Sequence, residues 1–218
     1  MGTVETHADR ARAKIRDDND DLFTDAKRLA MMDDICEDIY TVLCHVESNL
    51  IYGVSSITTV ADTMEYTPTF APHNGFLKNG VWVDGETTYM YQVTEADKVK
   101  FDYDNTTAQP VAYYHTEGGD DKVGLLWVPD DAYTVHVHYY KPRTALATYA
   151  TDNLPFKGIF NQYIQRKLII EMLEIYEHDI SRHALMAEME WASAMNRVYQ
   201  LGIRKKRQSS NLFNVGGI

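Results

Sequence analysis

Long apolar runs are missing from this chain: nothing in its 218 residues approaches the roughly 18 consecutive apolar residues that a membrane span requires. The opening stretch, Met1 to Arg10, is polar and lacks the apolar core of a signal peptide. Cysteine is scarce, with Cys36 and Cys44 alone. Eight positions apart on one helix, they would stand about 12 Å from each other, too far for a disulfide. They read as reduced core thiols of a protein made in a cytoplasm. Catalytic punctuation is missing as well. There is no Gly-x-Ser-x-Gly elbow and no dinucleotide glycine pattern, and Gly118-Gly119 lacks the lysine and helix of a phosphate loop. No catalytic residue, resident metal or cofactor is expected. Acid is missing from the last 24 residues, Met195 to Ile218, which hold Arg197, Arg204, Lys205, Lys206 and Arg207. Removing those five charges from the formal net charge of −11 leaves −16 on the rest. So acidic a body does not bind nucleic acid over its general surface. The same charge would suit a wall past which DNA slides, or simply keep the protein dispersed.

The hydrophobic share of 44% against 24% charged residues is that of a folded chain with a real core. Ala8 to Arg16 is a short charged helix candidate, closed by the acidic turn Asp17 to Asp21. Thr24 is an N-cap with Asp25 in the first turn, favourably placed for the helix dipole. From there Leu29, Met32, Cys36, Ile39, Leu43, Val46 and Leu50 step 3, 4, 3, 4, 3, 4, a seam for another helix, and Gly53 is the expected end. Threonine, valine and tyrosine then dominate. Strands are expected over Ser56–Val60, Met64–Thr67, Gly80–Asp84, Thr88–Val93, Val111–Thr116, Val123–Val128 and Tyr133–Tyr140. Asp84-Gly85 is a hairpin signal, Glu117 to Asp121 a looser loop, and Thr94 to Asp97 opens a short helix.

Helix returns at Pro155, which suits a first turn. Leu168 to Tyr176 is apolar on almost every side, which calls for deep burial, and a break falls near His178 to Ser181. A second seam follows in Ile180, Ala184, Ala187, Trp191, Ala194, Val198 and Leu201, with Gly202 as its end. The expectation is an α+β chain in which the two seams pack in one bundle and a small antiparallel β domain is inserted between them. Its parts are N-terminal helices over 1–53, the β domain over 54–150, C-terminal helices over 151–203, and a flexible arm over 204–218.

Three constellations could carry chemistry. His136 and His138 alternate on one strand and so share a sheet face. They are either the polar face of a half-exposed strand or, with a third ligand, a metal site. Glu171, Glu174 and Glu177, with His178 one turn from Glu174, form a solvated helix face or a contact with a neighbouring subunit. The cluster Arg204-Lys205-Lys206-Arg207 could touch nucleic acid, complement a helix dipole, or dock on an acidic partner. The last reading gains from the segment behind it, where Leu212, Phe213, Val215 and Ile218 are apolar anchors in a polar, glycine-tipped tail. Fifteen tyrosines and three tryptophans further favour an assembly subunit.

From Gln109-Pro110-Val111-Ala112-Tyr113-Tyr114, through Leu125-Leu126-Trp127-Val128-Pro129-Asp130 and Tyr133 to Tyr139, to Leu154-Pro155, the order of parts resembles the head-to-tail adaptor (connector) proteins of tailed bacteriophages. The resemblance covers about Thr24 to Leu201. It implies a structural virion protein at the neck, assembled in the host cytoplasm, with no membrane partner. It implies a ring of copies, typically twelve, that docks on the portal protein, continues the channel through which genomic DNA passes, and offers a platform to tail or nozzle proteins. A C-terminal arm from Arg204 to Ile218 would reach the portal. The alternatives are a tail-completion or tail-tube subunit, and a soluble metal- or ligand-binding helical protein using His136 and His138.

Overall fold

The computed structural model describes residues 2–15, 22–46, 48–68, 76–94, 106–116 and 122–213, with backbone alone over 76–79 and 202–213. The acidic turn after Arg16, the helix expected from Thr94 and the Glu117–Asp121 loop therefore lie largely outside the described residues. The protein is of the α+β class. Four α-helices are described, α1 (Val4–Ile15), α2 (Asp25–His45), α3 (Asn161–Ile175) and α4 (Ser181–Phe213). Among the described residues seven strands lie between α2 and α3: β1 (Tyr52–Thr58), β2 (Glu65–Tyr66), β3 (Phe76–Val83), β4 (Tyr91–Gln92), β5 (Ala112–His115), β6 (Val123–Leu126) and β7 (Thr134–Tyr140). The chain forms two compact units, a helical one from Met1–Ile51 with Arg143–Ile218, and a β unit over Tyr52–Pro142. Residues 143–150 thus go with the helices. No helix among the described residues is long and apolar enough to cross a membrane.

In the β unit, β7 is the middle of a three-stranded sheet ordered β1-β7-β3, and a second sheet runs β2-β6-β5-β4. Alternation along β7 divides its side chains: Val135 and Val137 point into a core with Ile57, Val81, Val83, Tyr113 and Leu125, while His136 and His138 face the other way. The unit is not wholly antiparallel, because β4 pairs with β5 in parallel through Tyr91↔Ala112 and Gln92↔Tyr113. β5 and β6 are buried without alternation, Ala112, Tyr114 and Leu126 forming a second apolar cluster. Two glycines are steric requirements of this packing. A Cβ at Gly124 would lie 2.0 Å from the Tyr114 ring, and one at Gly53 2.6 Å from that of Tyr139. Gly53 is therefore a strand residue that yields to an aromatic ring, not a helix terminator. Gly85 does serve its turn, at φ +85°.

β6 stops at Leu126, short of the expected Val128; Val128 forms an isolated bridge with Thr107, and Pro129, which follows, has no N–H to extend the pairing. Its carbonyl accepts from the Asp62 N–H, Asp131 caps the Ala132 N–H at 2.7 Å, and the Tyr133 hydroxyl donates to Asp130 at 2.7 Å.

In the helical unit, Thr24 caps α2 by accepting from the Lys27 N–H at 3.3 Å. The helix stops at His45, since the Ser48 N–H turns back to the Leu43 carbonyl; Val46 is the C-cap and Leu50 lies beyond the helix. The second helical half begins later than Pro155. Phe156 and Lys157 have φ of 63° and 53°, so a 3₁₀ turn over Phe156–Gly158 intervenes before α3. α3 ends with Glu177 at φ 54° and the His178 N–H bonded to the Leu173 carbonyl, a left-handed C-terminal cap.

α1, α2 and α4 each pack on α3. The two seams therefore meet a common partner rather than chiefly each other, because α3 is the helix with apolar residues on most sides: Ile164, Leu168, Ile169, Ile170 and Met172 are all buried. Met32, Cys36, Ile39 and Leu43 on α2, and Ala187, Ala194 and Val198 on α4, are buried; Leu29, Val46, Leu50, Ile180, Ala184 and Trp191 are half-buried, and Leu201 is exposed.

Candidate functional site

On the outward face of β7, His136 is held at both ring nitrogens. The Ser56 Oγ lies 2.9 Å from Nδ1 and Asp84 Oδ1 3.3 Å from Nε2. Trp82 packs against both imidazoles, with centroids 5.0 Å from His136 and 4.8 Å from His138. Serine, histidine and aspartate match a nucleophile–base relay in type. Asp84, however, is 72% exposed and the trio lies on the open face of a sheet. The arrangement acts as a cross-strand pin between β1, β7 and the β3 turn. Among the described residues no group of three or more His, Cys, Asp or Glu is placed to hold a metal.

Beside β4 a cleft of about 430 Å³ is lined by Val83, Tyr89, Tyr91, Pro110, Val111 and Trp127, among others, with the Gln109 amide donating to Glu86 at 3.1 Å on its rim. Tyr89 and Tyr91 are exposed large aromatic residues, on and beside a two-residue edge strand.

The helical unit carries two charge clusters that sequence reading did not find. Arg143 donates to both oxygens of Asp33, at 2.5 and 3.1 Å, and to Glu37 at 2.8 Å. The Leu146 N–H also donates to Asp33 at 2.7 Å. These bonds hold the Asp33 carboxyl below its ordinary pKa, the guanidinium bond being the largest cause. Arg166, nearly buried on α3, pairs with Glu190 of α4 at 3.0 Å and lies 3.1 Å from His183 Nδ1. The only sequence signal was Asp33 and Glu37 one turn apart on α2; their partner is 110 positions from Asp33.

Glu171 departs from a solvated face. It is half-buried, while Glu174, Glu177 and His178 are exposed. Burial, followed by the nearby carboxylates Asp34, Glu174 and Asp38 and opposed by Lys167, pushes its pKa from 4.5 up to about 7. A carboxyl whose folded pKa is raised binds its proton more tightly in the folded protein. Its contribution is therefore most favourable below the ordinary value and declines as pH climbs from about 4.5 to 7. Glu171→Gln is expected to melt above the wild type at pH 8, with the gap closing by pH 5. A gap that stays constant across that range would place the titration elsewhere.

The C-terminal basic cluster falls within α4. The helix continues through Gly202, so Arg204, Lys205, Lys206, Arg207, Leu212 and Phe213 have helical backbone, while Val215 and Ile218 lie outside the described residues. One glycine costs a helix only about 1 kcal/mol, and the Arg, Lys and Gln that follow are good helix formers. Cys36 and Cys44 are both buried and unpaired, and burial pushes the Cys36 thiol up to about 12.

In comparison with known proteins, a family model described as SU10 adaptor protein matches residues 3–214. No curated protein matches the chain.

Proposed function

The chain belongs to the SU10 adaptor protein family, whose members are structural adaptors of phage particles and not enzymes, and from that premise we propose that it forms the head-to-tail adaptor ring of a tailed phage. In this reading copies assemble as a ring, twelve-fold as the resemblance implies, beneath the portal. The ring continues the DNA channel and presents a platform to tail or nozzle proteins. The carrying observation is a family match that spans both units. The charge pattern supports it. A body at −16 repels a DNA duplex enough for it to pass without sticking, while the acid-free C-terminal segment is suited to an acidic partner. The same reading places the protein at the virion neck after assembly in the host cytoplasm.

The C-terminal segment from Arg204 is the proposed portal-docking element. Its basic run supplies salt-sensitive attraction, and burial of two of Leu212, Phe213, Val215 and Ile218 would contribute roughly 3–6 kcal/mol before ordering costs. Mixing the purified protein with portal rings and imaging by negative stain is expected to show added density at one end of the portal. Deleting Gln208 to Ile218 is expected to abolish that density with the thermal melt unchanged, and Phe213→Ala to weaken it. Portals that stay bare with the full chain would overturn the adaptor reading; a truncated chain that still decorates them would overturn the docking element.

A further inference from the structure

Two faces of the helical unit are complementary in charge. The first lies on α2 and α3. Asp34 and Asp38, one turn apart and exposed, converge with Glu171 and Glu174, and among the described residues Lys167 is the cation that acts on Glu171. One turn beyond Glu171 stands Ile175, 44% exposed. The second face is the outside of α4. Leu185, Met189, Ala192, Asn196 and Tyr199 step 4, 3, 4, 3 along it, all exposed, with Leu185 at 61% and Met189 at 67%. That is the spacing of a helix-packing stripe, on the side of α4 turned away from α3. Arg182 and Arg197 flank it, and Arg197 joins Lys157 in the lining of a cleft of about 630 Å³ with Ile159 and Leu201. Glu188 is the acid on the exposed stretch of α4 between the two arginines. Among the described residues no ion pair engages Asp34, Asp38, Glu174, Arg182 or Arg197.

Exposed apolar patches rimmed by charge mark interaction sites. Like carboxylates crowded on one face repel one another unless an external cation offsets them, and Asp34, Asp38 and Glu174 all lie near enough to Glu171 to act on it. We propose that the α4 face of one copy packs on the α2–α3 face of the next, with Arg182 and Arg197 meeting Asp34 and Asp38. The occupant of each face is thus a second copy of this chain. Because the two faces differ, the contact is head-to-tail, the kind that closes into a ring or runs on as a filament. The inference deepens the ring reading and rests on it for closure.

Reversal of charge on one face at a time tests it. Asp34→Lys/Asp38→Lys leaves two basic faces, and Arg182→Glu/Arg197→Glu leaves two acidic ones. Each variant alone is expected to need on the order of tenfold or more protein to self-associate in sedimentation velocity, since like charges now face each other. An equimolar mixture of the two is expected to recover assembly, because every contact in an alternating assembly is again complementary. Circular dichroism melts check that both variants fold. Either variant assembling as the wild type, or a mixture that stays dispersed, would overturn the face assignment, as would a wild type that remains monomeric both at high concentration and on the portal. Rings on portals made by the Asp34→Lys/Asp38→Lys variant alone would sink the faces and leave the adaptor reading standing. Self-association that obeys the charge swap, with portals left bare, would sink the adaptor reading and leave the faces.

Discussion

Phe160→Ala is expected to destabilise the helical unit by about 3–5 kcal/mol, the range for removing a large buried aromatic ring. Phe160 is fully buried where the 3₁₀ turn enters α3, with its ring 5.7 Å from that of Phe156 and 5.5 Å from that of Trp191. Its loss opens a cavity between the entry turn and α4, which cannot close without moving α3, the helix on which α1, α2 and α4 all pack. For a chain of this size each kcal/mol corresponds to roughly 2–4 °C, so the melt followed by helical circular dichroism should fall by about 6–20 °C. Leu43→Ala, at a buried position on α2, belongs to the same class at about 2–5 kcal/mol. Thr41→Ala, exposed on the same helix, is the control and should stay within about 0.5 kcal/mol. If Phe160→Ala melts with the control, α3 is not the centre of this unit.

Breaking the Arg143 clamp is expected to rival that loss. The Arg143 side chain is 8% exposed and that of Asp33 23%, so Arg143→Ala leaves a poorly hydrated carboxylate without its cation, a change that costs about 3–5 kcal/mol in buried pairs. The Leu146 N–H would remain the only partner found for Asp33 among the described bonds. Arg143→Ala with Asp33→Ala should cost clearly less than the sum of the single changes, as contacting residues do in a double-mutant cycle. The pH dependence has a definite sign. A carboxyl whose folded pKa is depressed contributes stability that is present above its ordinary value of 3.8 and is lost as pH falls through the lower folded value. The wild type should therefore lose stability on the acid side at this site, and Arg143→Ala should remove most of that loss. An additive cycle, or an acid limb unchanged by Arg143→Ala, would mean that the clamp contributes little in solution. Glu171 has the opposite sign, its contribution declining as pH rises toward neutrality.

Local signals determined much of this protein. Period-2 alternation placed β7 and sent His136 and His138 to one face, because side chains of a strand alternate whatever the sheet packs against. Thr24 and Asp25 marked the start of α2, because capping depends on residues within one turn. The apolar run Leu168 to Tyr176 announced a buried helix. Sheet partners, helix partners and charge partners needed the tertiary structure. Gly53 and Gly202 both look like stops in a one-dimensional pattern. The first is a strand residue under the Tyr139 ring, and the second is carried through a helix whose following residues favour it. Heptad spacing on α2 and α4 says that each helix has a partner, yet not which; the more fully apolar α3 took the central place from both. Asp33, Glu37 and Arg143 are ordinary surface charges when read along the chain. They became a cluster because the segment Arg143 to Leu146 of the helical unit lies against α2, and such a meeting is set by the path of the backbone, not by any spacing within a helix. Glu171 followed the same rule. Its three-residue spacing with Glu174 and Glu177 suggested solvent, and only tertiary burial, with Asp34 and Asp38 of α2 nearby, made it a half-buried carboxyl whose pKa is pushed up to about 7.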